Sequence, residues 1–401
     1  MRKNFLLLAI FVPAILLAQK NAQWRGENRD GVYNETGLLK QWPAGGPQLM
    51  WSYTGMGNSF ASVAIANAKI YLTGLEDDNL FLYVLDMSGK LITKKLIGKE
   101  WTTNHTGTRC TVVVNDGKLY IGNSLGQLFC LDEATLNEVW KKDMLNDFDG
   151  KNIMWGMVES PLIVGEKIFL TPGGTTHNMV ALNKNTGALI WSSKGLGTTS
   201  SYCSPVYIGD QSIPMVITAT LQDIVAFNAN TGEVVWSHPQ ANQRNIHPNS
   251  PIYRDGMVFC ITGYRGGAML LRLKDGGKAV EQVWKNPEMD NQMGGAIKAG
   301  DYVYASGHNH QFFFCVDWNT GETKYKEPQI GQTNVILADG MLYVYSDTGT
   351  MYLVKPNPDK FDVVSRFEVT LGTREHWTHP VIHNGILYLR HGDTLMAYKI
   401  K

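Results

Sequence analysis

Short apolar runs alternate with polar residues along this chain, with the two-residue period of strands rather than the 3.6-residue period of helices. Residues 111–122 read as two strands around an Asp116-Gly117 turn. The same pattern returns at 335–344 around Asp339-Gly340 and at 381–389 around Asn384-Gly385. Asp-Gly and Asn-Gly readily adopt the positive φ that a two-residue hairpin turn demands. Each pair is followed by a third strand, then Asn or Asp, a Thr-Gly, and a fourth strand closing on an aromatic. Residues 182–191, 227–236 and 316–325 are three full copies of this phrase, ending at Trp191, Trp236 and Tyr325.

Degenerate copies fill the rest. Residues 131–140 lose the glycine, and residues 85–96 lose the aromatic. Counting these, the strand endings fall at 51, 96, 140, 191, 236, 284, 325 and 367, separated by 45, 44, 51, 45, 48, 41 and 42 residues. A period of this size built from four short strands predicts an all-β, eight-bladed β-propeller of four-stranded antiparallel blades. The last unit, from about residue 376, has only three strands, while an unpaired strand around Trp51 (48–53) stands at the other end. That N-terminal strand is expected to complete the last blade and close the ring, which leaves no long open edge. One equivalent aromatic per blade marks a packing position, so Trp140, Trp191, Trp236, Trp284 and Tyr325 are read as rings docked between blades.

Charge narrows the range of partners. Lys plus Arg equals Asp plus Glu, 36 against 36. There is no basic stripe for nucleic acid and no acidic tail. Residues 1–18 read as a secretory signal: Arg2 and Lys3, an apolar stretch over 5–17, and the small Ala18 at the cleavage point. The stretch is too short to span a bilayer comfortably, so the protein is not expected to be membrane-spanning. The first cysteine is Cys110, so no lipid anchor is expected at the mature N-terminus. The chain thus divides into a signal (1–18), a lead-in segment (19–47) and the propeller (48–401), and is expected to be exported, periplasmic or secreted. Five cysteines, 110, 130, 203, 260 and 315, sit among apolar strand residues and are read as buried free thiols. No Cys-x-x-Cys-His is present, which excludes covalent haem.

The Leu-Asp/Asn-x-x-Thr-Gly-x-x-x-Trp phrase resembles the tryptophan-docked propellers of the quinoprotein (pyrroloquinoline quinone, PQQ) dehydrogenase superfamily, over essentially the whole mature chain. In length and blade number it is most similar to the short exported PQQ-like proteins and the outer-membrane assembly propeller lipoproteins. The opening 23–31 (Gln-Trp-Arg-Gly-Glu-Asn-Arg-Asp-Gly), Trp155-Gly156-Met157-Val158-Glu159-Ser160-Pro161 and Tyr202-Cys203-Ser204-Pro205 look like segments of those exported proteins. The chain departs from the quinoprotein alcohol dehydrogenases in having no adjacent Cys-Cys pair and none of their pocket-building insertions. It departs from the lipoproteins in having no N-terminal lipidated cysteine.

Functional groups in a propeller gather on loops that lead into the innermost strands, because all eight converge on the axis at one face. Here those loops carry Asn104, Arg109, Trp155, Glu159, Tyr202, His247, Asn249, Asn291, His376 and Trp377. Trp155, Tyr202 and Trp377 would form the apolar wall of a funnel, and the others its polar groups. The competing reading is that these groups satisfy the ends of crowded inner strands. Glu159 and Asp290 are the candidate acid–base pair, but nothing in the sequence sets their separation. His105, His247, His376 and His379 lie on different blades without a ligand spacing, so no metal is expected. Residues 147–152 superficially resemble a calcium loop but lack its closing acid, and read as a turn.

The leading expectation is a non-catalytic binding or scaffold propeller that presents its axial face to a small molecule or protein. The alternative, implied by the resemblance, is a PQQ-dependent alcohol or sugar dehydrogenase with calcium. Trp155 or Trp377 would then stack on the quinone, Glu159 and Asn249 would be metal or carbonyl ligands, Arg109 would contact a quinone oxygen and Asp290 would be the base.

Overall fold

The computed structural model describes residues 21–293 and 295–401; the expected signal at 1–18 lies outside them. The described strands form eight sheets arranged as successive blades. Blade 1 runs over residues 64–99, blade 2 over 113–143, blade 3 over 162–193 and blade 4 over 206–239. Blade 5 covers 252–286, blade 6 297–329, and blade 7 333–368. Blade 8 takes three strands from 381–399 and its fourth, outermost one from Gln48–Thr54, which pairs antiparallel with Thr394–Lys399. This is the ring closure that the missing strand of the last repeat predicts. Among the described residues no helix is long and apolar enough to cross a membrane.

The repeat phrase is an interblade lock. The indole N–H of four docking tryptophans reaches the backbone carbonyl two residues into the phrase of the next blade. Trp51 donates to Met87 O at 3.1 Å, Trp140 to Lys184 O at 3.0 Å, Trp191 to Ala229 O at 3.2 Å and Trp284 to Trp318 O at 2.8 Å. The glycine of the phrase lies flat on the same ring. A Cβ on Gly232 would stand 2.5 Å from Trp191, and one on Gly321 2.6 Å from Trp284. Glycine is therefore required twice at this position, for its positive φ and for the ring beneath it. Blade 5 replaces the phrase with Asp275-Gly276-Gly277, and Trp236 Nε1 is accordingly left without a partner. Leu96, where blade 1 lacks the aromatic, is 55% exposed. There the contact with blade 2 falls to Glu133, which accepts from Tyr71 Oη at 2.6 Å and Asn67 Nδ2 at 2.8 Å. The five cysteines are free and buried.

The lead-in segment does more than reach the first strand. Ala22 bridges Val114 of blade 2, and Val32–Tyr33 adds a fifth, parallel strand to the inner edge of blade 7. Between these points the segment crosses the axial channel. Arg29, 2% exposed, donates to Ser160 O and Pro205 O at 3.0 Å each, and to Pro161 O. Arg25 donates to Ala296 O at 2.8 Å and to His379 Nδ1 at 3.2 Å. Asp30 pairs with Arg254 of blade 5. The segment thus ties blades 2 to 8 together and plugs one face of the ring. Arg29→Met should lower the melting temperature by an amount equivalent to about 3–5 kcal/mol, since it strips donors from buried carbonyls. Arg29→Lys should rescue little, because one ammonium cannot span three carbonyls on two blades.

Trp191→Ala should cost roughly 3–5 kcal/mol in thermal unfolding. Trp191→Phe, which keeps an aromatic ring and loses the N–H, should cost less than the alanine variant.

Candidate functional site

The innermost strands start toward one end of the channel and turn at the other. At the turning end the lead-in backbone pairs with Val114 and Leu337, while its Arg25 and Arg29 side chains reach the carbonyls just before the strand starts. The loops expected to form the site therefore share one face. Their polar groups divide into two sets. One set stitches neighbouring inner strands together. Ser62 N donates to Thr111 Oγ1, Thr111 N to Ser160 Oγ and Ser160 N to Ser204 Oγ, at 3.2, 3.2 and 3.0 Å. Ser62 Oγ then donates to His379 O at 3.2 Å, across the junction of blades 8 and 1. These residues are equivalent positions of the repeat, and in blades 3, 4 and 5 each stands before a proline, at Ser160-Pro161, Ser204-Pro205 and Ser250-Pro251.

Several expected site residues belong to this stitching. Asn249 Nδ2 donates to Asn291 O at 2.6 Å, and Asn291 Nδ2 to Ser306 O at 2.8 Å. His247 is 1% exposed and bonds Leu221 O and Asn242 through Nε2. Burial lowers its pKa to about 4. His376 stacks on His391 with ring centroids 3.5 Å apart and bonds Tyr345 Oη through Nδ1. Burial, with His391 beside it, lowers its pKa to about 4 as well. His379 is held well below the usual range by burial and then by Arg25, so it stays neutral and accepts from that guanidinium. Among the described residues no three His, Cys, Asp or Glu side chains come together as metal ligands.

Asp290 is taken up by loop closure. It accepts from Arg265 N at 3.2 Å, His308 N at 3.1 Å, Asn309 N at 3.3 Å and the Asn309 side chain. Its acceptor sites are filled by two hairpins, which leaves little room for the acid–base role. Arg109 is similarly engaged: it donates to Gly107 O, Ser124 Oγ, Asn104 O and His105 O at 2.7–3.2 Å. It staples the loop that carries His105. Asn104 ties that loop to the next blade, donating to Met154 O and accepting from Trp101 Nε1, both at 3.2 Å.

The second set is aromatic, and it is what the mouth presents. Phe60 meets Trp377 with ring centroids 5.2 Å apart, and Trp377 meets His105 at 5.4 Å. His105 meets Trp155 at 6.1 Å, and Trp155 contacts Tyr202 at 5.8 Å and Tyr264 at 6.5 Å. Tyr264 ends the ribbon edge-on to His308 at 4.4 Å. Tyr202 Oη accepts the Trp155 backbone N–H at 3.1 Å. His105, Tyr202 and Tyr264 all carry left-handed backbones, with φ of 40, 67 and 54°. That conformation is uncommon for bulky side chains and persists where surroundings hold it. Trp155 and Tyr202 thus stand in contact, and Trp377 joins them through His105. Tyr264 and His308 escape sequence reading because they sit on hairpins between the second and third strands. These hairpins share the mouth face, and the glycines Gly263, Gly266 and Gly307 around them are the available signal.

Glu159 stands between the two sets. Its Oε2 accepts from Thr171 N at 3.0 Å, while Oε1 is shielded from solvent and has no partner. Burial raises its pKa to about 8, against the backbone bond from Thr171 and the charge of Arg29, which pull it down. Asn249 Oδ1 is a second buried oxygen without a partner. Calcium takes six to eight oxygen ligands, several of them carboxylates. One carboxylate facing a guanidinium, with one amide oxygen, does not fit a calcium-bound quinone.

A plugged, aromatic-mouthed eight-bladed propeller is thereby defined, and comparison gives its family. The chain belongs to the family described as outer membrane protein assembly factor BamB, which matches residues 82–211 and 173–359. It is similar to the quinoprotein ethanol dehydrogenase of Pseudomonas aeruginosa, 32% identical over 88 residues, 22% of this chain and 14% of that one. The quinoprotein ethanol dehydrogenase of Pseudomonas putida is 26% identical over 114 residues, 28% of this chain and 18% of that one. The matches therefore span less than a fifth of either curated relative. In fold it is similar to BamB from Moraxella catarrhalis, with a TM-score of 0.64 at 15% identity, covering 88% of this chain and 99% of that one. It is also similar to the quinohemoprotein alcohol dehydrogenase ADHIIG from Pseudomonas putida HK5, with a TM-score of 0.63 at 13% identity, covering 93% and 79%.

Glu159 generates a pH prediction. Its folded pKa lies above its unfolded one, so folding favours the protonated acid. Stability is complete below the ordinary carboxylate range and is lost as pH rises toward about 8. Glu159→Gln should therefore match the wild type in melting temperature at acid pH and exceed it above pH 8.

Proposed function

We propose that this protein is an exported, non-catalytic binding propeller that presents its axial mouth to a ligand or partner. The observation that carries the reading is the aromatic ribbon from Phe60 to His308, held by strained backbones. The groups that chemistry would need there, Asp290, His247 and Arg109, are committed to structural bonds. Large aromatic rings supply contact area with little conformational entropy to lose, which suits recognition. The family description, an outer membrane assembly factor, accords with a protein partner, and the apolar stretch at 5–17 accords with export to the periplasm or beyond.

The dehydrogenase reading has two observations in its favour, the partial identity with two quinoprotein ethanol dehydrogenases and the unpartnered Glu159 oxygen. Titrating the purified protein with PQQ and calcium separates the two. Tryptophan fluorescence should stay unquenched, and no dye should be reduced with ethanol. Quenching with alcohol-dependent dye reduction, both lost in Glu159→Gln, would reverse the assignment.

A further inference from the structure

The lead-in segment is anchored at both ends by one kind of contact. In each innermost hairpin the residue next to the turn bonds its cross-strand partner. The residue before it lies in a non-bonded pair and turns its N–H and C=O toward the axis. Val114 of blade 2 and Leu337 of blade 7 are two such residues, in register with Leu119 and Leu342. Val114 exchanges two bonds with Ala22, at 2.8 and 2.9 Å, and Leu337 N donates to Gly31 O at 2.9 Å. The propeller therefore already accepts added backbone at this position twice from its own chain, as a single antiparallel bridge at Val114 and a two-residue parallel strand at Leu337.

The equivalent residues of blades 1 and 8 are Ile65 and Ile382, in register with Ile70 and Leu387. No group among the described residues bonds their axis-facing N–H or C=O. Both line a groove of about 990 Å³ beside the lead-in segment, on the face opposite the aromatic mouth. Among the described residues, the bonds that fix that segment run to blades 2 to 8. We infer that this groove is a strand-addition site for an extended peptide segment of a partner protein, which pairs its backbone with Ile65 or Ile382 as Ala22 does with Val114. The rim carries Glu27, Glu35 and Lys401 among neutral groups, a sparse mixture of signs, so affinity comes chiefly from main-chain bonds. The site continues an interface the fold has already built, and it does not depend on what the mouth binds.

The test uses the full chain and a synthetic heptapeptide with the sequence of residues 30–36, which contains the strand that pairs with blade 7. A second peptide has the same side chains and N-methyl groups at alternate residues. Hydrogen exchange followed by NMR should show the Ile65 or Ile382 amide slowed about tenfold or more by the first peptide and unchanged by the second. Three results would overturn the inference: neither amide protected, equal protection by the N-methylated peptide, or protection that requires displacement of the chain's own segment from Val114 and Leu337. Protection that grows with protein concentration alone, with sedimentation showing dimers, would also overturn it by making a second copy the occupant.

Discussion

Eight innermost strands converge on one axis, and each brings an edge whose peptide groups face the channel instead of a neighbouring strand. Buried backbone groups must be paired, and a narrow channel has little room for the water that does this on a surface. The structure meets the constraint from both faces. Toward the mouth, hydroxyls of Ser62, Thr111, Ser160 and Ser204 link blade 8 to blade 1 and blades 1 to 4 in turn. From the other end the lead-in segment threads two buried arginines, with five donors apiece, up to the carbonyls at the strand starts of blades 3, 4 and 6. Burial lowers the pKa of Arg25 and Arg29 to about 10, so both remain charged at neutral pH.

That solution governs what the axial face has to spare. Asn249, Asn291 and His247 have the composition of a binding site, yet the Asn249 and Asn291 amide N–H groups and His247 Nε2 are spent between and within blades. Asp290 clamps two hairpins and thereby sets Tyr264 and His308, so its influence on the mouth runs through position. What the mouth presents is apolar and aromatic, with buried oxygens of Glu159 and Asn249 left without a partner.

The tryptophan lock explains why one repeat serves proteins of different activity. Its indole bond, its flat glycine and its Asn or Asp turn act only between neighbouring blades, far from the axis. A chain can keep all of it and change every loop, so the repeat identifies the architecture and says little about the ligand.

The blade count, the hairpins, the interblade tryptophans and the closure by the strand at Trp51 were legible in the sequence, because each depends on residues close together or on a repeated spacing. The aromatic wall of Trp155, Tyr202 and Trp377 was legible too, since topology brings those loops to one face. The tertiary structure alone decided which polar groups were already paired, because the partner of Asp290 or Asn249 lies on another hairpin or blade. It alone revealed the plug. Gln-Trp-Arg-Gly-Glu-Asn-Arg-Asp-Gly looks like a polar linker until Arg25 and Arg29 meet carbonyls about 130–270 residues away, and no local pattern encodes that distance.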